Sequence, residues 1–169
     1  MPLYFAYGSN MSLLPMMARC PASKPIGPAR LMRHRLIVNV DGYATVLRDP
    51  RKTVWGLLWD LALADVAALD RYESVHTKLY AKTVQPVLTA QGPRRAMLYV
   101  AARHHPGQPK AGYMEEVVAS AREAGLPDAY LAELEGWLPG GRPPSEPTPR
   151  AAVRPLWAAP SGIRRGRTP

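Results

Sequence analysis

Alternating stretches and short apolar runs dominate the first hundred residues, with helical spacing confined to a few segments among them. Leu3, Tyr4, Phe5 and Ala6 form a compact apolar run, the mark of a short buried strand. Residues 12–19 predict a short helix, interrupted or kinked near Pro15. Residues 30–40 carry Leu31, Leu36 and Val38 in an alternating pattern and predict a strand. Residues 43–47 predict another, and Asp41-Gly42 between them reads as a hairpin turn. The run Thr53-Val54-Trp55-Gly56-Leu57-Leu58-Trp59 is β-branched and aromatic, which suits a strand through the core. Leu63, Val66, Leu69 and Tyr72 recur every three residues and predict a helix with one buried face. Asp65 in its first turn suits the positive end of the helix dipole.

Two more strands are predicted over residues 79–88 and 96–102. Two helices then follow, one over 111–124 with Gly125 as its C′ residue, the other opened by Pro127 and running to Trp137. Strands come first with a helix among them, and helices come last. That order predicts an α+β fold with an antiparallel or closed sheet, rather than alternating βαβ units.

The pattern stops at Leu138. Pro139-Gly140-Gly141-Arg142-Pro143-Pro144 cannot sustain regular structure, because proline removes a donor and glycine costs entropy to order. The chain therefore divides into a folded body, 1–138, and a Pro/Arg-rich tail, 139–169. Val153-Arg154-Pro155-Leu156-Trp157 is the tail's apolar cluster, suited to docking on the body or on a partner.

Charge follows the same division. The tail holds six arginines against Glu146, which is +5 of the chain's net +9, leaving +4 for the body. A basic appendage can attract polyanions, but it says little about the chemistry of the body. The body has no aromatic and basic stripe of the kind that reads bases, so nucleic acid is not the expected partner. No apolar run approaches the roughly 18 residues of a membrane helix, and the N-terminus lacks the basic and apolar regions of a secretion signal. With Cys20 as its one cysteine the chain has no internal disulfide, and a cytoplasmic location is expected.

Two segments carry candidate chemistry. The first is Tyr7-Gly8-Ser9-Asn10, directly after the first strand. A strand–glycine–helix junction offers backbone N–H groups that suit a carboxylate or a developing oxyanion. The same residues also suit an ordinary tight turn with a helix cap. The second is Leu69-Asp70-Arg71-Tyr72-Glu73. An acid in the last turn faces the negative end of the helix dipole. Burial there would raise its pKa towards the range that acid/base catalysis needs. A solvated glutamate, or one paired with Arg71 or Lys78, is the plainer alternative. His34, His76, His104 and His105 show no metal-ligand spacing, and no metal or cofactor is expected.

Taken together, Tyr4-Phe5-Ala6-Tyr7-Gly8-Ser9-Asn10-Met11 resembles the opening of the gamma-glutamylcyclotransferases. The likeness continues in order through Ala29-Arg30-Leu31, Tyr43-Ala44-Thr45-Val46, Val54-Trp55-Gly56-Leu57-Leu58-Trp59, Leu69-Asp70 with Glu73, Gly112-Tyr113, and residues 124–130. It spans about residues 3–137 and leaves the tail uncovered. The resemblance implies a small, mostly antiparallel barrel-like sheet surrounded by helices. It implies cyclisation of a gamma-glutamyl group to 5-oxoproline, with release of an amino acid or amine and Glu73 as general acid/base. It also implies substrate contacts at Tyr7, Gly8, Ser9 and Asn10, with Tyr113 and Tyr130 as further pocket walls. The family's glutamate is often followed by glycine, where this chain has Ser74. The Tyr-Gly-Ser-Asn form of the turn favours gamma-glutamyl amino acids or peptides over gamma-glutamyl amines. Other readings are a gamma-glutamyl-amine cyclotransferase, a non-catalytic binding module, and polyanion binding through the basic tail. Homodimer formation is left open.

Overall fold

The computed structural model describes residues 2–144. Five strands close into a barrel: β1 (Leu3–Ala6), β2 (Lys24–Val38), β3 (Ala44–Asp60), β4 (Tyr80–Thr89) and β5 (Gly92–Ala101). Their order around the barrel is β1-β3-β2-β4-β5. All neighbours are antiparallel except β1 and β5, whose parallel bridge at Tyr4 and Met97 completes the closure. The β1–β5 and β2–β4 seams each rest on a single bridged pair, Tyr4 with Met97 and Arg30 with Leu88. Four helices accompany the barrel: α1 (Leu13–Arg19), α2 (Val66–Tyr72), α3 (Tyr113–Glu123) and α4 (Asp128–Glu135). The α+β class and the mostly antiparallel barrel are those expected.

Strand β2 begins at Lys24, earlier than the expected residue 30, and β3 and α1 differ from the sequence reading in kind. Residues 43–47 and 53–59 belong to one strand, β3, instead of two. The β2–β3 ladder pairs His34 with Arg48 and resumes at Met32 with Thr53, so residues 49–52 oppose Arg33 alone. Pro50 lies in that unpaired stretch, where its missing N–H costs no ladder bond. Arg33 takes φ 60° at the irregularity. In α1, Pro15 causes no kink, because Ser12 is the N-cap and Pro15 falls in the first turn, where backbone N–H groups lack helical partners.

Packing fixes the elements that carry the candidate site. Phe5, Leu58, Trp59, Leu69 and Leu98 are buried in one continuous core. Gly56 is demanded by that packing: a Cβ there would stand 2.2 Å from the Ala6 carbonyl oxygen and 2.9 Å from the Phe5 ring. Met11 and Met16 are both fully buried, one ending the 3-10 turn Ser9–Met11 and the other inside α1. Each such side chain contributes on the order of 2 kcal/mol, enough to anchor the turn that presents Asn10. The Asp65 carboxylate does more than face a helix dipole. It accepts from Ser23 Oγ at 2.7 Å and from Ala22 N–H at 3.0 Å, tying the start of β2 to the start of α2.

Gly125 ends α3 with φ 69°, as its C′ position requires. Trp137 and Leu138 still pack against the core. Expectations for the tail from residue 145 onward, including the Val153 to Trp157 cluster, lie outside the described residues. Among the described residues, no helix is long and apolar enough to cross a membrane.

Candidate active site

A cleft of about 700 Å³ opens where the end of β1, the Ser9–Met11 turn, the end of α2 and the start of α3 converge. Glu73 lies against it as the C-cap residue of α2, its N–H bonded to the Leu69 carbonyl at 2.9 Å. The chain leaves α2 through Ser74 in the left-handed conformation, φ 53°. That geometry explains why glycine suits the position, and Ser74 occupies it at a cost of roughly 1 kcal/mol. A 3-10 turn, Val75–Thr77, follows, and His76 on it is exposed and away from the cleft.

The environment of Glu73 is the main electrostatic feature. Asn10, buried beneath the 3-10 turn, donates from Nδ2 to Glu73 Oε1 at 2.6 Å and to the Tyr4 hydroxyl at 2.9 Å. Burial pushes the Glu73 pKa up to about 7, and the nearby Arg19 charge and the Asn10 hydrogen bond only partly oppose it. A carboxyl poised there can accept and return a proton near neutrality. Asp70, one turn earlier on α2, behaves differently. Burial opposes its ionisation, but hydrogen bonds from Lys82 Nζ at 2.7 Å and the Tyr99 hydroxyl at 2.6 Å prevail, and its pKa lies below the usual carboxylate range.

Tyrosines form much of the wall. The Tyr7 hydroxyl donates to the Tyr99 carbonyl across the barrel. The Tyr80 hydroxyl donates to the Ala44 carbonyl at 3.1 Å, and Ala44 N–H donates to the Tyr113 hydroxyl at 3.2 Å. Burial drives the hydroxyl pKa of Tyr4, Tyr7, Tyr80, Tyr99 and Tyr113 upward, so the wall stays neutral. Gly8 makes room for it: a Cβ there would stand 2.9 Å from the Tyr113 hydroxyl. Its φ is −118°, so space and not backbone conformation is the reason for glycine. Ser9 Oγ lies 3.3 Å from the Tyr72 hydroxyl at the rim.

Tyr43 packs edge-on against Tyr113 with centroids 5.2 Å apart, and Lys110 Nζ donates to the Tyr43 hydroxyl at 2.7 Å. Among the described residues, Lys110 is the only lysine or arginine lining the cleft, beside the acids Asp41, Glu73 and Glu116. Asn39 braces this side, its Oδ1 accepting from the N–H groups of Asp41 and Tyr43.

The structure gathers Tyr7, Gly8, Ser9, Asn10, Glu73 and Tyr113 around this one cleft. Tyr130 is elsewhere: it is buried on α4 and lines a separate small pocket with Leu134 and Trp137. Its helix packs on the barrel away from the α2 terminus, so it is not a wall of this cleft. The sequence reading did not identify Tyr4, Arg19, Asp70, Tyr80, Tyr99 or Lys110. Tyr4 sits in the same apolar run as Phe5, and its place two positions before Ala6 carried the one local hint that it shares a face with the turn.

Comparison with known proteins bears on the family and the fold. A family model described as AIG2-like matches residues 53–134. The chain is similar to the gamma-glutamylcyclotransferases of Mus musculus and Homo sapiens, 28% identical to each over 148 residues, covering 81% of this chain and 79% of each relative. A solved structure of a gamma-glutamyl cyclotransferase superposes with a TM-score of 0.76 at 28% identity, covering 82% of this chain and 88% of that one. A Bacillus subtilis protein shares the fold, with a TM-score of 0.71 at 21% identity over 79% of this chain and 52% of its own.

Proposed function

We propose that this chain, which is similar to gamma-glutamylcyclotransferases over most of its length, cyclises a gamma-glutamyl group to 5-oxoproline and releases the attached amine. The observation that carries the reading is Glu73: a cleft carboxyl held by Asn10, with its pKa pushed up to about 7.

Glu73 takes a proton from the substrate's alpha-ammonium. The freed amine attacks the substrate's own gamma-carbonyl carbon, forming a C–N bond and placing negative charge on the carbonyl oxygen. The intermediate collapses as the bond to the leaving nitrogen breaks: Glu73 returns its proton to that nitrogen, then takes the second proton from the ring nitrogen, leaving the neutral lactam, and that proton passes to the released amine. One carboxyl thus serves as base and then as acid. The reaction is intramolecular, so its entropic demand reduces to folding the substrate into the ring-closing shape. The N–H groups of Ser9 and Asn10 open a 3-10 turn and have no partner within it, which suits them to the developing oxyanion. The neutral tyrosine wall excludes water without adding charge that would compete with Glu73.

The rim supports an amino acid or peptide as leaving group. Lys110 has no carboxylate partner among the described residues and faces the cleft from the Tyr113 side. A free carboxylate on the leaving group would supply that partner. The single cysteine, buried and free, fits a reducing cytoplasm. The test is 5-oxoproline release from gamma-glutamyl amino acids, gamma-glutamyl alkylamides and glutathione. Release from gamma-glutamyl amino acids is expected, and a full-length protein that releases none from any substrate would overturn the reading.

A further inference from the structure

Arg19 ends α1, outside the segments that carry the family likeness, yet it reaches the Glu73 site. Its guanidinium carbon lies 3.3 Å from the centroid of the Tyr72 ring, and Nη1 donates to Asn10 Oδ1. A guanidinium offers donors only, so the atom of Asn10 that meets it must be the oxygen. That choice turns Nδ2 the other way, where its two protons go to Glu73 Oε1 and the Tyr4 hydroxyl. When Glu73 is neutral, Arg19 is what fixes which end of the amide faces it, because a carboxyl O–H and the Tyr4 O–H can each donate to an amide oxygen as readily as they accept from nitrogen.

The orientation has a chemical consequence. A carboxyl oxygen that accepts an N–H along its lone pair does not carry the acidic proton in the same direction. The carbonyl oxygen is the better acceptor of a neutral carboxyl, so the Asn10 N–H on Oε1 favours the proton of neutral Glu73 on Oε2, which has no hydrogen-bond partner among the described residues.

We propose that Arg19 is a positioning residue that acts through Asn10: it locks the amide so that Glu73 exchanges protons from Oε2 alone. The proposal rests on Glu73 as the acid/base group. Its electrostatic side follows from what surrounds the carboxyl. The hydroxyls of Tyr4, Tyr7, Tyr80, Tyr99 and Tyr113 are neutral, and Asp70 on the same helix is paired with Lys82 and Tyr99. Asp41, Lys110 and Glu116 carry charge elsewhere on the cleft wall. Arg19 is the cation that holds the Glu73 pKa down against burial.

The experiment uses the full-length, substrate-free protein with labelled glutamate carboxyl and asparagine side-chain amide groups, followed by NMR titration. Steady-state kinetics are run in parallel on Arg19→Met, Arg19→Lys, Asn10→Ala and the double variant Arg19→Met/Asn10→Ala. In Arg19→Met, Glu73 is expected to titrate at higher pH, and the Asn10 amide signals to broaden or split. Turnover should fall by about tenfold with KM changed less than about threefold, the split of an interaction lost at the reacting step. Arg19→Lys keeps the charge and should restore the titration more fully than the turnover, since it lacks the planar fork. Added to Asn10→Ala, Arg19→Met should cost little further turnover, because the relay is already broken. Folded Arg19→Met with unchanged titration and turnover would overturn the proposal, as would fully multiplicative losses in the double variant. If Arg19→Met fails to fold, Arg19→Lys gives the same readouts. The titration needs no substrate, so an inactive native protein would sink the assigned reaction while leaving the role of Arg19 open to this measurement.

Discussion

Asp70 and Glu73 leave the last turn of α2 three residues apart, and their surroundings drive the two carboxyls in opposite directions. Asp70 is held ionised by Lys82 and Tyr99, while burial moves Glu73 to about 7. A site that separates two carboxyls in this way divides their roles. Asp70 braces Tyr99, and Glu73 is left free to exchange protons.

The shift of Glu73 has a stability cost with a defined sign. The folded pKa is about 7 and the ordinary value 4.5, so between those limits the folded state holds more protons than the unfolded. The contribution is fully present below pH 4.5 and is lost as pH rises through about 7. Glu73→Gln removes the ionisation and keeps an oxygen for Asn10. It should match the native protein in acid and exceed its stability at pH 8 by on the order of 2 kcal/mol. Chemical denaturation at the two pH values measures the difference. Equal stability of the two proteins at pH 8 would contradict the burial argument.

Gly8→Ala places a methyl 2.9 Å from the Tyr113 hydroxyl, inside van der Waals contact. The ring can swing aside, so the stability cost should stay near 1 kcal/mol. The cleft wall would move with it, and kcat/KM should fall at least about tenfold, or ~1.4 kcal/mol of transition-state stabilisation. Kinetics beside a thermal melt separates the two effects.

Much of the site could be read from the chain because its two central pieces are local. Tyr7 to Asn10 is a single turn, and Glu73 is marked by its place at the end of an apolar helical pattern. Tyr80 and Tyr99 were not legible, since barrel closure alone brings them to the turn, and Arg19 reaches Asn10 only through the way α1 packs beside the turn that precedes it. The Tyr7 and Tyr99 contact spans 92 residues, and that of Asn10 and Glu73 spans 63. Tyr130 has the same half-polar character as Tyr113, and only the packing of α4 decides that one faces the core and the other the cleft. The true length of β3 was hidden by Pro50, which breaks a strand pattern in sequence but lies in an unpaired stretch of the ladder.

Ser74→Gly should relieve left-handed strain at the exit from α2. The gain is offset in part by the greater freedom of glycine in the unfolded chain, leaving a net stabilisation of about 0.5 kcal/mol. Denaturant midpoints resolve that difference. A destabilised glycine variant would mean that Ser74 makes a contact worth more than the strain.

Lys110→Met removes the ammonium that lines the cleft, together with its contacts to the Tyr43 ring and hydroxyl. KM should rise about tenfold for gamma-glutamyl amino acids and change little for gamma-glutamyl alkylamides, which lack the leaving-group carboxylate. Equal losses on both classes would assign Lys110 to the glutamyl carboxylate instead.

The central claim is that Glu73 moves the proton, and single-turnover release of 5-oxoproline by Glu73→Gln at pH 7.5 tests it most directly. The variant should fold with the native melting profile or better and lose about 10²–10⁴-fold in the chemical step, the range expected for a missing acid/base group. A folded Glu73→Gln that releases 5-oxoproline at close to the native rate would contradict the assignment and place the acid/base function on another group in the cleft.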